Sequence, residues 1–262
     1  MLSGKNIVII GGTTGLGLSA AKAFIKRGAK VVITGRNSES CKNAEALLGN
    51  DALVLSSDAA IEGTAEEAIA SCCKKWGSLS GLYHVAGRSG RSEGDGPLHQ
   101  MSLNGWEATI RLNLTSIMLS NRAAVKCFLG QDSSGSLLNM GSVLGFSPSP
   151  DFFATHAYAA TKSAIIGFSK SLASYYAKHN IRINVIAPAL VETPMARRAA
   201  DNSAIRKFIS TKQPLDGGRI GHPADLDGIT SLLFSDEAKF ITGQVIAVDG
   251  GWSISDGQIP QT

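Results

Sequence analysis

Ile7-Val8-Ile9-Ile10-Gly11-Gly12-Thr13-Thr14-Gly15-Leu16-Gly17 carries the reading of the fold. Four consecutive apolar residues closed by glycine read as a strand buried on both faces. Leu16, Ala20, Ala23 and Phe24 then recur at three- and four-residue spacing, which predicts a helix over 15–27 stopped by Gly28. Glycines between the two let the backbone turn sharply and approach a pyrophosphate, whose charge is favoured at a helix N-terminus. The spacing is G-x-x-x-G-x-G, not the common G-x-G-x-x-G. Taken alone, such a turn also joins strand to helix with no ligand.

Outward from this stretch the pattern alternates. Strands are predicted at 30–34, 52–56, 81–85, 136–140, 182–187 and 245–248. Helices are predicted at 38–48, 62–75, 102–128, 157–178 and 223–234. Continuous apolar strands, each followed by a helix, indicate a parallel sheet covered on both faces. No linker, repeat or low-complexity tract divides the 262 residues. The expectation is an α/β doubly wound parallel sheet (a Rossmann fold) in one domain, 1–262. Segment 188–222 interrupts the alternation, is rich in Arg, Lys and Pro, and is a candidate lid over a substrate.

Composition narrows the function. Hydrophobic residues are 44% and charged residues 18%, which excludes a disordered chain. The net charge of +4 is spread thinly, with no more than two adjacent cations, so no nucleic-acid partner is expected. Cys41, Cys72, Cys73 and Cys127 form no CxxC and no spacing with histidine. We expect no metal and reduced thiols in a cytoplasmic protein. The apolar run after Met1 is too short for a signal-peptide core, and no stretch is long enough to span a membrane.

The second strand ends Ile33-Thr34-Gly35-Arg36, where the usual dinucleotide fingerprint places an acid on the ribose. Arg36 can instead make charge-assisted bonds to a 2′-phosphate. This favours NADP (NADPH) over NAD. Asp58, after the third strand, either accepts from an adenine amine or begins the next helix. Tyr158-Ala159-Ala160-Thr161-Lys162 opens a long helix, and residues four apart share a face. A cation beside the phenol is expected to lower its pKa toward working pH and make Tyr158 a general acid or base.

In this arrangement the sequence resembles the short-chain dehydrogenase/reductase family over residues 4–253. Gly11, Gly15 and Gly17 match its cofactor loop, Asn113 its helix asparagine, and Ser142 its serine after the fifth strand. Tyr158 and Lys162 match its Y-x-x-x-K, and Asp249-Gly250-Gly251 its C-terminal D-G-G. The resemblance implies catalysis by Asn113, Ser142, Tyr158 and Lys162. It implies cofactor contacts from Gly11, Thr13, Thr14, Gly15, Leu16, Gly17, Ala86, Gly87, Pro188, Val191 and Thr193, with Tyr158 and Lys162. Tyr158 would give a proton to a carbonyl oxygen that Ser142 positions. Lys162 would bind the nicotinamide ribose, and Asn113 would hold a water linking Lys162 to solvent. The family's pairing of helices implies a homotetramer. Its contacts would come from Leu112, Ile117, Leu119, Ile166, Phe168 and Leu172, and from the final strand with the tail 250–262.

Three departures stand out. The family's N-N-A-G reads His84-Val85-Ala86-Gly87, with His84 expected to be structural. Its P-G after the sixth strand reads Pro188-Ala189. The stretch between Ser142 and Tyr158 is long, aromatic and proline-rich, and is expected to border the substrate pocket or to pack. The function implied is an NADP-dependent reductase of a small or medium carbonyl or alcohol substrate. Alternatives are NAD-linked alcohol or sugar oxidation and a nucleotide-sensing relative without catalysis.

Overall fold

The structure, a computed structural model, describes residues 1–257. Its strands are β1 (Asn6–Ile10), β2 (Lys30–Gly35), β3 (Ala52–Ser56), β4 (Gly81–His84), β5 (Gly135–Met140), β6 (Ile181–Pro188) and β7 (Val245–Val248). All pair in parallel, in the order β3-β2-β1-β4-β5-β6-β7. The helices are α1 (Gly15–Lys26), α2 (Ser38–Leu48), α3 (Thr64–Trp76), α4 (Leu103–Ile110), α5 (Ser116–Gly130), α6 (His156–Tyr176), α7 (Arg197–Ala200), α8 (Ser203–Lys212) and α9 (Asp227–Phe234).

The unbroken apolar run of β1 has a simple cause. Ile7 and Ile9 enter a core with Phe24 of α1 and Phe234 of α9, whereas Val8 and Ile10 enter the opposite core with Ala68 of α3 and Phe128 of α5. Each such side chain contributes about 1.5–3 kcal/mol by leaving water, so from Ile7 to Ile10 neither face tolerates an unpaired polar residue. Asn6, which opens the strand, is buried with its amide donating to the Trp76 and Ser78 carbonyls. The chain runs outward from β1 to β3, then returns to β4 on the other side of β1. That reversal leaves a crevice beyond the C-terminal ends of β1 and β4, where doubly wound sheets bind ligands.

The helix predicted over 102–128 is broken. Between α4 and α5 lies a π turn, Arg111–Thr115, in which the Ser116 N–H reaches back five residues to the Arg111 carbonyl. The Ser116 hydroxyl donates to the Leu112 carbonyl at 2.5 Å, taking the acceptor that the Ser116 N–H would use in an α-helix. Segment 188–222 holds α7 and α8, and one isolated bridge pairs Val191 with Gly221. Two of the expected subunit contacts do not reach the surface: Ile117 is 0% and Leu119 8% exposed, both consumed by packing within the chain. Of the tail named for the second contact, residues 258–262 lie outside the described residues. Among the described residues no helix is long and apolar enough to cross a membrane.

Candidate active site

One cavity of about 570 Å³ occupies the crevice. Every residue nominated from the sequence lines it except Gly17 and Asn113. Gly17 stands behind the loop, where an added Cβ would lie 2.1 Å from the Gly11 carbonyl oxygen. Only glycine therefore lets α1 pack this close to the turn. Gly11 itself has φ +88°, and a Cβ there would meet the Ala86 amide nitrogen at 2.7 Å.

At this end of the cavity no side chain caps α1 and its first turn holds no acid. Thr13, Thr14, Gly15 and Leu16 present that N-terminus to the cavity, so its partial positive charge faces the space a pyrophosphate would fill. The close backbone approaches and the open helix end fit a dinucleotide. Arg36 is half-exposed beside it, Nη1 lying 3.6 Å from Asp58 Oδ2. Asp58 also accepts the Ala60 N–H at 2.9 Å, so it fastens the turn before α3 as well as pairing with Arg36. Gly35 has a packing cause: a Cβ there would be 2.2 Å from Thr13 Oγ1. The missing acid is thus explained by Thr13 and is not in itself a mark of cofactor choice.

At the other end Ser142 leaves β5 in extended conformation, and its Oγ accepts from the Leu144 N–H at 3.2 Å. Tyr158 lies in the first turn of α6 and Lys162 one turn on. Lys162 is 2% exposed. Its Nζ donates to the Met140 carbonyl at 2.8 Å and sits 5.3 Å from the centroid of the Tyr158 ring. Burial pulls the Lys162 ammonium down to about 7. Burial also pushes the Tyr158 phenol up to about 12, while its hydrogen bond with Ser142 acts the other way. This corrects the expectation that Lys162 brings Tyr158 toward neutrality. The Lys162 Nζ lies over the ring, desolvation dominates the phenol, and the group that opposes burial is Ser142.

Asn113 sits in the π turn, fully buried. Its Nδ2 donates to the carbonyls of Arg88 (2.9 Å) and Thr109 (3.0 Å), and its Oδ1 accepts the Arg88 N–H (3.1 Å). The amide clasps the loop after β4. Gly87 is wedged between it and Lys162: a Cβ there would be 2.6 Å from Asn113 Oδ1 and 3.7 Å from Lys162 Nζ.

A family model described as enoyl-(acyl carrier protein) reductase matches residues 11–253. The chain belongs to the short-chain dehydrogenase/reductase family. The 2,5-dichloro-2,5-cyclohexadiene-1,4-diol dehydrogenase LinX of Sphingobium indicum is 34% identical to it over 256 residues, covering 97% of this chain and 98% of the relative. Carbonyl reductase family member 4 of Danio rerio is 34% identical over 245 residues, covering 93% and 96%. The 3-ketoacyl-(acyl-carrier-protein) reductase of Brucella melitensis, complexed with NADH, superposes with a TM-score of 0.86 at 28% identity, covering 97% of this chain and 100% of that one. A short-chain type dehydrogenase/reductase from Mycobacterium ulcerans gives 0.88 at 27%, covering 97% and 91%.

Within this short-chain dehydrogenase/reductase, His84 is completely buried. Its Nδ1 lies 2.7 Å from Ser120 Oγ and its Nε2 3.2 Å from Ser116 Oγ. Both ring nitrogens are satisfied by α5, as a structural residue requires. Burial, then the Lys162 charge, hold its pKa down at about 3. An unfolded chain takes up the proton near the ordinary 6.5, so His84 removes stability as pH falls from about 6.5 toward 3. His84→Asn, the family's own residue here, is expected to lose less stability between pH 7 and pH 4.5 than the parent does. Urea midpoints at the two pH values check this, and equal losses refute it.

Sequence reasoning missed three residues of this site. Asp95, buried at 5% exposure, accepts the Ala157 and Tyr158 N–H groups, each at 3.0 Å. It therefore holds the first turn of the helix that carries Tyr158. Arg91 and Arg198 line the cavity. No local pattern announces any of them, because Asp95 lies in a glycine-rich loop 63 residues before its partner. The long stretch before Tyr158 both packs and borders the cavity. Leu144 and Phe153 line it, and Trp252 Nε1 ties the stretch to the C-terminal turn through the Ser147 carbonyl at 3.1 Å.

Proposed function

We propose that this enzyme is an NADPH-dependent reductase of small or medium carbonyl compounds, with Tyr158 as general acid and base. The observation that carries the reading is the meeting of Ser142, Tyr158 and Lys162 at one end of a cavity whose other end offers an uncapped helix N-terminus and Arg36. The residues of loop 11–17, with Ala86, Gly87, Pro188, Val191 and Thr193, would hold the dinucleotide. Bound NADPH supplies the hydride. Ser142 fixes the carbonyl oxygen, Tyr158 gives it a proton, and Lys162 holds the nicotinamide ribose. Asn113 keeps the loop after β4 in place and lies on the path by which Lys162 regains a proton. A carbonyl panel with NADPH and with NADH tests the reading through loss of the reduced-nicotinamide absorbance. Turnover is expected. Binding of coenzyme without turnover of any carbonyl or alcohol would overturn it and leave a nucleotide sensor. NAD-linked diol or alcohol oxidation is the second reading, favoured by the name of the Sphingobium relative and by the existing pairing of Arg36 with Asp58.

Segment 188–222 acts in this proposal as a lid within a single domain. Its N-terminal part lines the cavity. The Gln213 side chain spans it, accepting from the Leu190 N–H at 2.9 Å and donating to the Leu190 carbonyl at 3.2 Å. NADP(H) with substrate is expected to slow amide exchange here; unchanged exchange would count against a lid. The subunits form a homotetramer in the cytoplasm. Leu112 in the π turn and Ile166, Phe168 and Leu172 on α6 remain only partly buried, leaving an apolar surface for a partner. Light scattering should give four times the chain mass, and a monomer would refute it.

A further inference from the structure

The cavity is lined by five cationic side chains, Arg36, Arg88, Arg91, Lys162 and Arg198, and by one acid, Asp58. Two of the cations are already matched: Arg36 pairs with Asp58, and Arg88 with Glu93. Lys162 belongs to the reacting end. Arg91 and Arg198 make no ion pair among the described residues. They come from separate elements, the loop after β4 and α7, yet converge on the same neutral acceptor. Arg91 Nη2 lies 3.2 Å and Arg198 Nη2 3.4 Å from the Phe152 carbonyl oxygen.

Two guanidiniums at one carbonyl repel each other and leave most of their donors unused. Burial and then the charge of Arg198 depress the pKa of Arg91, while Asp95 acts in the opposite sense. Asp95 makes no ion pair with either guanidinium among the described residues; its two oxygens accept α6 N–H groups. The wall beside them is apolar: Leu144 and Phe153 line the cavity, and Phe153 packs edge-on against Trp252. Forked guanidiniums match a carboxylate or phosphate. The pyrophosphate end of the cavity, with α1 and Arg36, is formed by other elements. Phe152 lies in the stretch that leads into Tyr158.

We infer that the substrate is an anion: a carbonyl compound whose carboxylate or phosphate is held between Arg91 and Arg198 while its carbonyl faces Tyr158. This rests on the reductase reading above.

Matched probes test it: levulinate against methyl levulinate, and dihydroxyacetone phosphate against dihydroxyacetone. The quantity read is the ratio of kcat/KM, anion over neutral, in which any effect on coenzyme binding cancels. The parent is expected to favour an anion by about tenfold or more, and R91A/R198A to lose about tenfold of that ratio. Which pair shows the effect tells carboxylate from phosphate. A neutral probe used as well as its anion, or a ratio unmoved in the double variant, overturns the inference. Should no carbonyl turn over at all, the reductase reading fails separately. Calorimetric binding of levulinate and dihydroxyacetone phosphate to the enzyme with oxidised coenzyme then decides. Affinity that the double variant loses about tenfold sustains the anion site, and no affinity for either refutes it.

Discussion

Tyr158→Phe is expected to lower kcat by about 10²–10⁴-fold, the usual worth of a positioned acid or base, while NADPH affinity stays within a few-fold. In the proposed mechanism the phenol meets the reacting oxygen, whereas loop 11–17 and the start of α1, at the opposite end of the cavity, would hold the pyrophosphate. The packing of α6 does not depend on the hydroxyl: Asp95 binds the Ala157 and Tyr158 backbone, and phenylalanine retains the ring over which Lys162 lies. The pKa adds a direction. With the phenol up at about 12, Tyr158 is protonated throughout the physiological range. Reduction, which consumes that proton, should then show no loss from Tyr158 ionisation between pH 6 and 9, any inflection near 7 reporting Lys162, while oxidation, which needs the phenolate, should rise with pH. Steady-state rates in both directions, with coenzyme affinity from fluorescence titration, check the pair of statements. A phenylalanine variant with near-parent turnover would remove Tyr158 from the mechanism.

The second large effect concerns the coenzyme. The parent is expected to prefer NADPH, and Arg36→Ala to bring the two coenzymes close to parity. A charge-assisted bond contributes about 1.5–3 kcal/mol, a preference of roughly 10- to 150-fold. Because the Arg36 side chain is 52% exposed and Asp58 lies 3.6 Å away, solvent and the existing pair reduce the gain. The lower end, about tenfold, is the value to expect. An aspartate at Gly35 combined with Arg36→Ile would be the obvious reversal from sequence, but its Cβ would sit 2.2 Å from Thr13 Oγ1. That variant would disturb the loop it is meant to probe, so Arg36→Ala is the cleaner measurement. Kinetics with both coenzymes decide, and NADH used equally well by the parent would leave Arg36 a solvent-facing residue.

The parallel sheet was legible because its cause is local. Ile7–Ile10 is apolar at every position since both faces of β1 are covered. The glycine turn at 11–17 and the four-residue step from Tyr158 to Lys162 are short-range patterns that a backbone can obey in only a few ways. The split between α4 and α5 was not legible. It depends on Ser116 bonding the Leu112 carbonyl while also meeting His84 from another strand. Nor could spacing tell that Lys162 would lie against the Tyr158 ring, or that burial would push the phenol up. Asp95 beneath Tyr158, Thr13 against Gly35, and Arg91 with Arg198 at Phe152 are meetings between distant segments. Periodicity reports which face of an element is apolar. Charge balance and pKa depend instead on which remote groups share a low-dielectric space, and chain folding alone brings those together.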